Sequence, residues 1–297
     1  SHPTFIPTDV PRSAADFHAF ATIILNSREP HRVSVYNADM IPFFIEACRI
    51  AKGSMEAVRR DPVFATKCWV NSPFKLTREN VDIAMTARRL LGTPVHLGHM
   101  PVGGAAGPVT LAGSLVQNTA ESLALCAMGH AINGTPSCHI VGTTTMLDMR
   151  DACHRQSGPD VFLHTLAASE MQAYLFGGYP NATFSCTAIS AQSVSPQSLF
   201  EKAMINSFNL AAGARNMGIG SLACSDVGSP VQLFLDYELG EFQRHLLRDV
   251  AVDSAHVGLD TILETAPRGA YYLNTLHTAE FFREECWLPE LCDYRAF

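Results

Sequence analysis

What this 297-residue sequence lacks narrows it first. It has no excess of positive charge. Its 21 Lys+Arg stand against 28 Asp+Glu, a formal charge of −7, so the wide basic surface of a nucleic-acid binder is not supported. No run of about 18 apolar residues has the composition of a membrane span. The nearest stretch, 103–120, is uncharged but is interrupted by Gly, Ser and Thr and carries Gln117 and Asn118. The nine cysteines are odd in number, widely spaced and without a CxxC, which argues against a secreted disulfide scaffold. No charged leader precedes an apolar core, so reduced thiols in a cytoplasmic protein are the expectation. A GxGxxG at the first strand–helix junction is missing, as are the GK[ST] of a P-loop and the GxSxG of a nucleophile elbow. No cysteine has an obvious base beside it, so a thiol nucleophile is unsupported.

What is present is an alternation. Short apolar or β-branched runs at 5–9, 33–37, 64–70, 95–100, 137–142, 182–188 and 215–221 read as strands. Helical stretches near 12–27, 39–57, 77–92, 108–133, 160–177, 196–212 and 230–248 separate them. Strands alternating with helices imply βαβ units and a parallel sheet. Seven units without a break in pattern point to an α/β fold of the TIM (β/α)8 type, one strand short, with the absent strand expected before Ser1. Beyond 248 the pattern changes to two further helices, 256–265 and 277–286, and a tail rich in Glu and aromatics. The expected organisation is a barrel over 1–250 and a C-terminal helical extension over 251–297, packed on it.

In a parallel barrel the loops after the strands gather at one mouth. The residues there are Asn71, His99, Gly104, Asp148, Arg150 and Gln192, and these are the candidate substrate-binding set. The glycine loop 103–107 can aim backbone N–H groups at a carboxylate or phosphate, or can simply be a tight turn before helix 108–133. Of His96 and His99, strand alternation sends one into the barrel and one toward the helices. A zinc site built on them would need Cys138 or Cys186 at no diagnostic spacing, so no metal is expected. Glu121, about three turns into helix 108–133, reads as a buried structural or subunit-facing carboxylate far from the mouth. The apolar character of that helix, and the open sheet edges of an incomplete barrel, call for a homo-oligomer or a partner segment filling the gap.

The segment Pro101-Val102-Gly103-Gly104-Ala105-Ala106-Gly107-Pro108-Val109-Thr110-Leu111-Ala112-Gly113, with Val116-Gln117 and Glu121 after it, resembles the trimethylamine methyltransferase family, which includes glycine betaine methyltransferases. Asn71-Ser72-Pro73 with Leu76, Asp148-Met149-Arg150, Asp236 with Glu238, and His277-Thr278 before Trp287-Leu288-Pro289 agree in order along the chain. The resemblance spans nearly all the residues and corresponds to the C-terminal two-thirds of such proteins. It implies a TIM barrel that presents an N-methyl group to the Co(I) of a separate corrinoid protein. On that implication the cobalamin is carried by the partner and no cofactor is bound tightly by this chain. The sequence holds only standard residues where trimethylamine-specific members carry pyrrolysine, which favours the branch acting on quaternary amines. A quaternary ammonium leaves as a neutral amine when the C–N bond breaks, so no proton need be supplied, and catalysis rests on positioning and desolvation. Tyr36, Phe74, Asp148, Arg150 and the glycine loop are the expected pocket contacts: aromatic faces and a carboxylate for the cation, donors for a betaine carboxylate. Alternatives are a zinc-dependent corrinoid methyltransferase of similar shape, a non-catalytic betaine-binding barrel and an inactive fragment.

Overall fold

A computed structural model describes residues 7–27, 33–61, 64–65, 67–92, 94–134, 140–142, 144–176, 188–211 and 218–293. The chain is mixed α/β and mostly helical. It divides into two compact units, 1–232 and 233–297.

The first unit opens with α1 (Arg12–Asn26), β1 (Val33–Ser34), α2 (Ile41–Lys52), α3 (Met55–Arg60) and β2 (Phe64–Ala65). Within the expected strand 5–9, residues 7–9 are not paired in a ladder, and residues 5–6 lie outside the described set. Pro7 and Pro11 flank the stretch, and proline cannot donate to a sheet. The helices pack through aromatic side chains. The Phe20 and Phe44 rings stack at 4.5 Å, and Phe64 meets Phe44 edge-on at 5.8 Å. Phe20, Phe44 and Val58 have no exposed surface, and Ile83 and Leu91 from α4 (below) join the same cluster.

Next come β3 (Lys67–Asn71), β4 (Lys75–Leu76), α4 (Arg78–Leu91), β5 (His96–His99), β6 (Val102–Gly103), α5 (Leu111–Asn133) and β7 (Ile140–Gly142), of which β4, β3, β5 and β7 build the main sheet in that order. Thr77 caps α4 and Thr110 caps α5, each hydroxyl accepting the N–H three residues on. Pro108, expected to open the helix, stays in the loop ahead of that cap. Gly92 (φ 73°) and Gly134 (φ 71°) end the same two helices in the left-handed conformation that glycine adopts without a Cβ clash.

The pairing is parallel between successive strand–helix units. Val33 pairs Phe64, Val70 pairs His99, and Leu97 pairs Ile140. In the main sheet β4 turns back, antiparallel to β3 with Asn71 opposite Lys75. No closed barrel is seen among the described residues. A separate three-stranded sheet joins β6, β8 (Thr145–Asp148) and β9 (Cys153–Arg155). Then follow α6 (Pro159–Phe176), α7 (Pro196–Ala211), and the β10 (Ser221–Leu222) and β11 (Val227–Gly228) hairpin. The expected strand 182–188 lies outside the described residues except for its last position. Of 215–221 only the end is described, and Ser221 there starts the antiparallel hairpin.

Helix α8 (Pro230–Leu246) runs across the boundary between the units. In the second, α9 (Ser254–Val257), α10 (Leu259–Thr265) and α11 (Leu276–Glu285) are short. The Glu238 carboxylate accepts the N–H groups of Glu290 and Leu291, and Trp287 meets Phe242 edge-on at 5.3 Å. These contacts give the matching Glu238 and Trp287-Leu288-Pro289 positions a shared task, which is to hold the tail. No helix among the described residues is long and apolar enough to cross a membrane.

Candidate functional site

Two clusters sit where the strands of the first unit end. The first is centred on Glu121, which is 1% exposed. Ser72 donates to Oε2 at 2.7 Å, the Phe74 N–H to Oε1 at 3.2 Å, and Gln117 to Oε1 at 3.3 Å. His99 is fully buried. Its Nδ1 lies 3.1 Å from Glu121 Oε2, close but misaligned for a good hydrogen bond, and its Nε2 is 2.9 Å from Ser122 Oγ. Gln117 also donates to the Ala106 carbonyl at 2.6 Å, tying the glycine loop to the same carboxylate.

Glu121 is therefore buried as expected, but it is not remote from the strand ends. The chain climbs past the end of β5 through 100–110 before α5 begins. Ten residues of helix, about 15 Å, then bring Glu121 back to the level of Ser72 and His99. Burial alone pushes this carboxyl up, but His99, Ser72 and the Phe74 N–H together outweigh it and hold the group below its ordinary range. No Lys or Arg pairs with it among the described residues, so its negative charge has only polar, uncharged donors and a histidine around it. A cleft of about 70 Å³ opens here, lined by Val70, Phe74, Leu76, Glu121, Leu125 and Met128. One carboxylate and one aromatic ring in an otherwise apolar cleft suit a small organic cation.

The second cluster is the β8–β9 hairpin. Arg150 grips Asp148 through Nε at 2.9 Å and its terminal nitrogen at 2.5 Å, and its own N–H adds a third contact at 3.1 Å. These contacts hold the Asp148 carboxyl far below its usual range. Arg155 lies 3.8 Å from the same carboxylate and bonds Asp160 at 2.7 Å. A Cβ on Gly104 would fall 2.8 Å from Met149 Cε, so the glycine loop and this hairpin touch. Loops 188–192 and 223–226 join on the far side. Cys224 donates its thiol to the His154 carbonyl at 3.2 Å, Ser157 meets Ser190 at 3.0 Å, and the Ala223 N–H bonds the Ala191 carbonyl at 2.8 Å.

The structure thus brings Gly104, Asp148 and Arg150 together and separates the other three. His99 shares a face with Val70 and Leu97, packed toward α5, whereas Asn71 follows Trp69 onto the opposite face and is exposed. Gln192 is exposed in the loop after the undescribed segment. The glycine loop is a self-satisfied turn. Gly104 donates to the Gly107 carbonyl, and Ala105, Ala106 and Gly107 all donate to the Val102 carbonyl. Its amides are therefore not offered to an anion, and the tight-turn reading holds. Residues the sequence did not single out are Ser72, Ser122 and Thr144, the last bonded to Asn118 at 3.2 Å. The only signal was the polar pair Gln117 and Glu121, one turn apart in a nearly uncharged helix. Among the described residues no three His, Cys, Asp or Glu side chains converge as metal ligands, while Cys138 and Cys186 lie outside that set.

The depressed Glu121 and Asp148 carboxyls set the acid behaviour. In the ordinary carboxylate range the unfolded chain binds more protons than the folded one. Their stabilisation is complete above that range and is lost as pH falls through the depressed values. Glu121→Gln should flatten the acid limb of stability against pH between about pH 5 and pH 3, read by urea unfolding at stepped pH. An acid limb identical to wild type would remove Glu121 from this account.

The geometry describes an apolar cleft with one buried carboxylate near the strand ends of an α/β unit. Comparison with known families is specific: the profile of the trimethylamine methyltransferase (MTTB) family matches residues 1–297, and the chain belongs to that family. It is 24% identical over 298 residues to the glycine betaine methyltransferase of Desulfitobacterium hafniense strain Y51, covering 98% of this chain and 60% of that protein. It is 26% identical over 254 residues to the trimethylamine methyltransferase MttB1 of Methanosarcina acetivorans, covering 84% of this chain and 50% of that protein. The chain spans about half the length of the curated relatives it matches.

Proposed function

We propose that this chain carries a methyl-transfer site that moves an N-methyl group from a quaternary amine of the glycine betaine kind to a corrinoid held by a separate protein. The observation that carries the reading is the Phe74–Glu121 cleft within a chain whose whole length matches the methyltransferase family. The low pKa keeps Glu121 ionised at neutral pH, so a fixed negative charge faces an apolar cleft. A methylated ammonium fits both parts, with its charge toward the carboxylate and its methyl groups against Val70, Leu125, Met128 and the Phe74 ring. The Co(I) of the partner's corrinoid supplies the nucleophile. The residues here bind, orient and exclude water, and no acid–base pair is required.

The (β/α)8 barrel belongs to the same reading, supported by the parallel pairs β1–β2, β3–β5 and β5–β7. On it, His99 stands behind the cation seat beside Glu121, Gly104, Asp148 and Arg150 form the rim that meets the rest of the substrate, and Asn71 and Gln192 lie apart from both. Arg150 has a side chain 85% exposed and is placed to turn from Asp148 to a substrate carboxylate. The protein acts as a homo-oligomer.

Calorimetry with a panel of quaternary amines tests this. Glycine betaine and a carboxylate-free analogue such as tetramethylammonium should both bind, and Glu121→Gln should weaken both by tenfold or more. Arg150→Ala should weaken glycine betaine alone. Equal loss for both ligands removes Arg150 from the carboxylate role. An unaffected Glu121→Gln variant removes the cation seat. Stoichiometric zinc in the purified protein would favour the metal-dependent alternative.

A further inference from the structure

The Glu121 carboxylate is charged, but its hydrogen-bonding capacity is already in use. A carboxylate offers about four lone-pair sites on its two oxygens. On Oε1 the Phe74 N–H at 3.2 Å and Gln117 Nε2 at 3.3 Å take two of them. On Oε2 the Ser72 hydroxyl takes a third at 2.7 Å, and His99 Nδ1 stands 3.1 Å from the same oxygen. The donors belong to the fold itself. Phe74 is held at φ 52°, a conformation uncommon for a bulky residue and kept only where the surroundings fix it.

Charge and hydrogen bonding make different demands on a ligand. The negative charge acts through space in any direction, whereas a hydrogen bond needs a free lone pair in line with the donor. The other side chains lining the cleft, those of Val70, Phe74, Leu76, Ala124, Leu125 and Met128, carry no oxygen or nitrogen. A cation bearing an N–H gives up its water acceptors on entry and finds none in exchange. A cation clothed only in methyl groups has no donor to strand.

Taking Glu121 as the cation seat of the proposed function, we propose that Ser72, Gln117 and the Phe74 N–H are specificity-determining: by filling the carboxylate they make the seat accept permanently charged ammonium and sulfonium groups and reject cations that carry an N–H. The same selection acts on the product. Loss of one methyl leaves the C–N electron pair on nitrogen, and the neutral tertiary amine then takes a proton from water. The resulting N–H cation is of the rejected kind, so it leaves and does not compete with substrate.

Calorimetry on the full chain at neutral pH, with trimethylsulfonium and trimethylammonium as probes, tests this. Both carry three methyl groups and one positive charge, and only the ammonium has a donor. Wild type should bind the sulfonium tighter by about tenfold or more, the effect of one stranded donor. Ser72→Ala and Gln117→Leu each open a lone pair and should narrow that ratio severalfold by improving the ammonium. Ser72→Thr keeps the hydroxyl and should keep the wild-type ratio. A merely structural role would weaken both probes alike and leave the ratio unchanged. Circular dichroism confirms which variants are folded. A wild type that binds neither probe overturns the cation seat, and this inference falls with it. Equal affinities in wild type, or a ratio unchanged in every folded Ser72→Ala or Gln117→Leu variant, overturn this inference alone.

Discussion

Glu121→Ala should destabilise the protein by about 3–5 kcal/mol, the range for removing one member of a buried polar or ionic set. The substitution strips the acceptor from Ser72, from the Phe74 N–H and from one bond of Gln117, and it leaves His99 Nδ1 in an apolar space. Each donor stranded without water costs about 1–3 kcal/mol, and the sites share one acceptor, so the costs do not simply add. The effect reaches three pieces of chain at once, because Glu121 joins the 72–74 loop, the end of β5 and α5. Glu121→Gln retains an acceptor oxygen and the side-chain volume, so its stability loss should be smaller, about 1–2 kcal/mol. The comparison separates two roles. If both variants lose binding of a quaternary amine but only Ala loses the fold, the charge serves the ligand and the hydrogen bonds serve the structure. Urea unfolding read by fluorescence and calorimetry on the folded variant give the two numbers.

Phe44→Ala should cost about 3–5 kcal/mol and should leave the amine affinity of the surviving folded protein unchanged. Phe44 has no exposed surface and is the hub of an aromatic group. Its ring stacks on Phe20 at 4.5 Å and meets Phe17 and Phe64 edge-on at 5.6 and 5.8 Å. Its removal opens a void that α1, α2 and β2 cannot all close, since each is pinned by other members of the cluster. Phe44→Leu should recover more than half of the loss. A loss below about 1 kcal/mol for the Ala variant would mean that this cluster is not a core.

The helices were legible in the sequence to within a few residues, because their caps and end glycines carry local chemistry that does not wait for tertiary contacts. Thr77 and Gly92 bound α4 where the pattern put them, and Thr110 and Gly134 bound α5. Strands were less legible. The described strands run to five residues at most, and the expected strand at 5–9 runs into Pro7, with Pro11 just beyond it. The site was harder still. Alternation says that His96 and His99 face opposite sides, but it does not say which side is the helix layer. That was decided by α5, whose Ser122 and Glu121 meet His99 across more than twenty residues of sequence. The glycine loop has the composition of an anion cradle, yet its amides close on Val102 and Gly107, a matter of backbone geometry that composition does not encode. Asp148 and Arg150 were expected together in a loop after strand 137–142; the stretch is instead the β8–β9 hairpin, with Asp148 ending β8, and their spacing of two residues at its turn explains why they grip each other.

The central claim is that this chain removes a methyl group from a quaternary ammonium, and the most direct measurement follows the amine. The protein is mixed with a corrinoid protein reduced to the Co(I) state and with glycine betaine bearing labelled methyl groups. The expected result is dimethylglycine appearing one for one with the Co(I) consumed, and a rate that falls at least tenfold in Glu121→Gln while that variant remains folded. Glycine betaine and every other quaternary amine of the panel left intact, with Co(I) stable in the same mixture, would contradict the account.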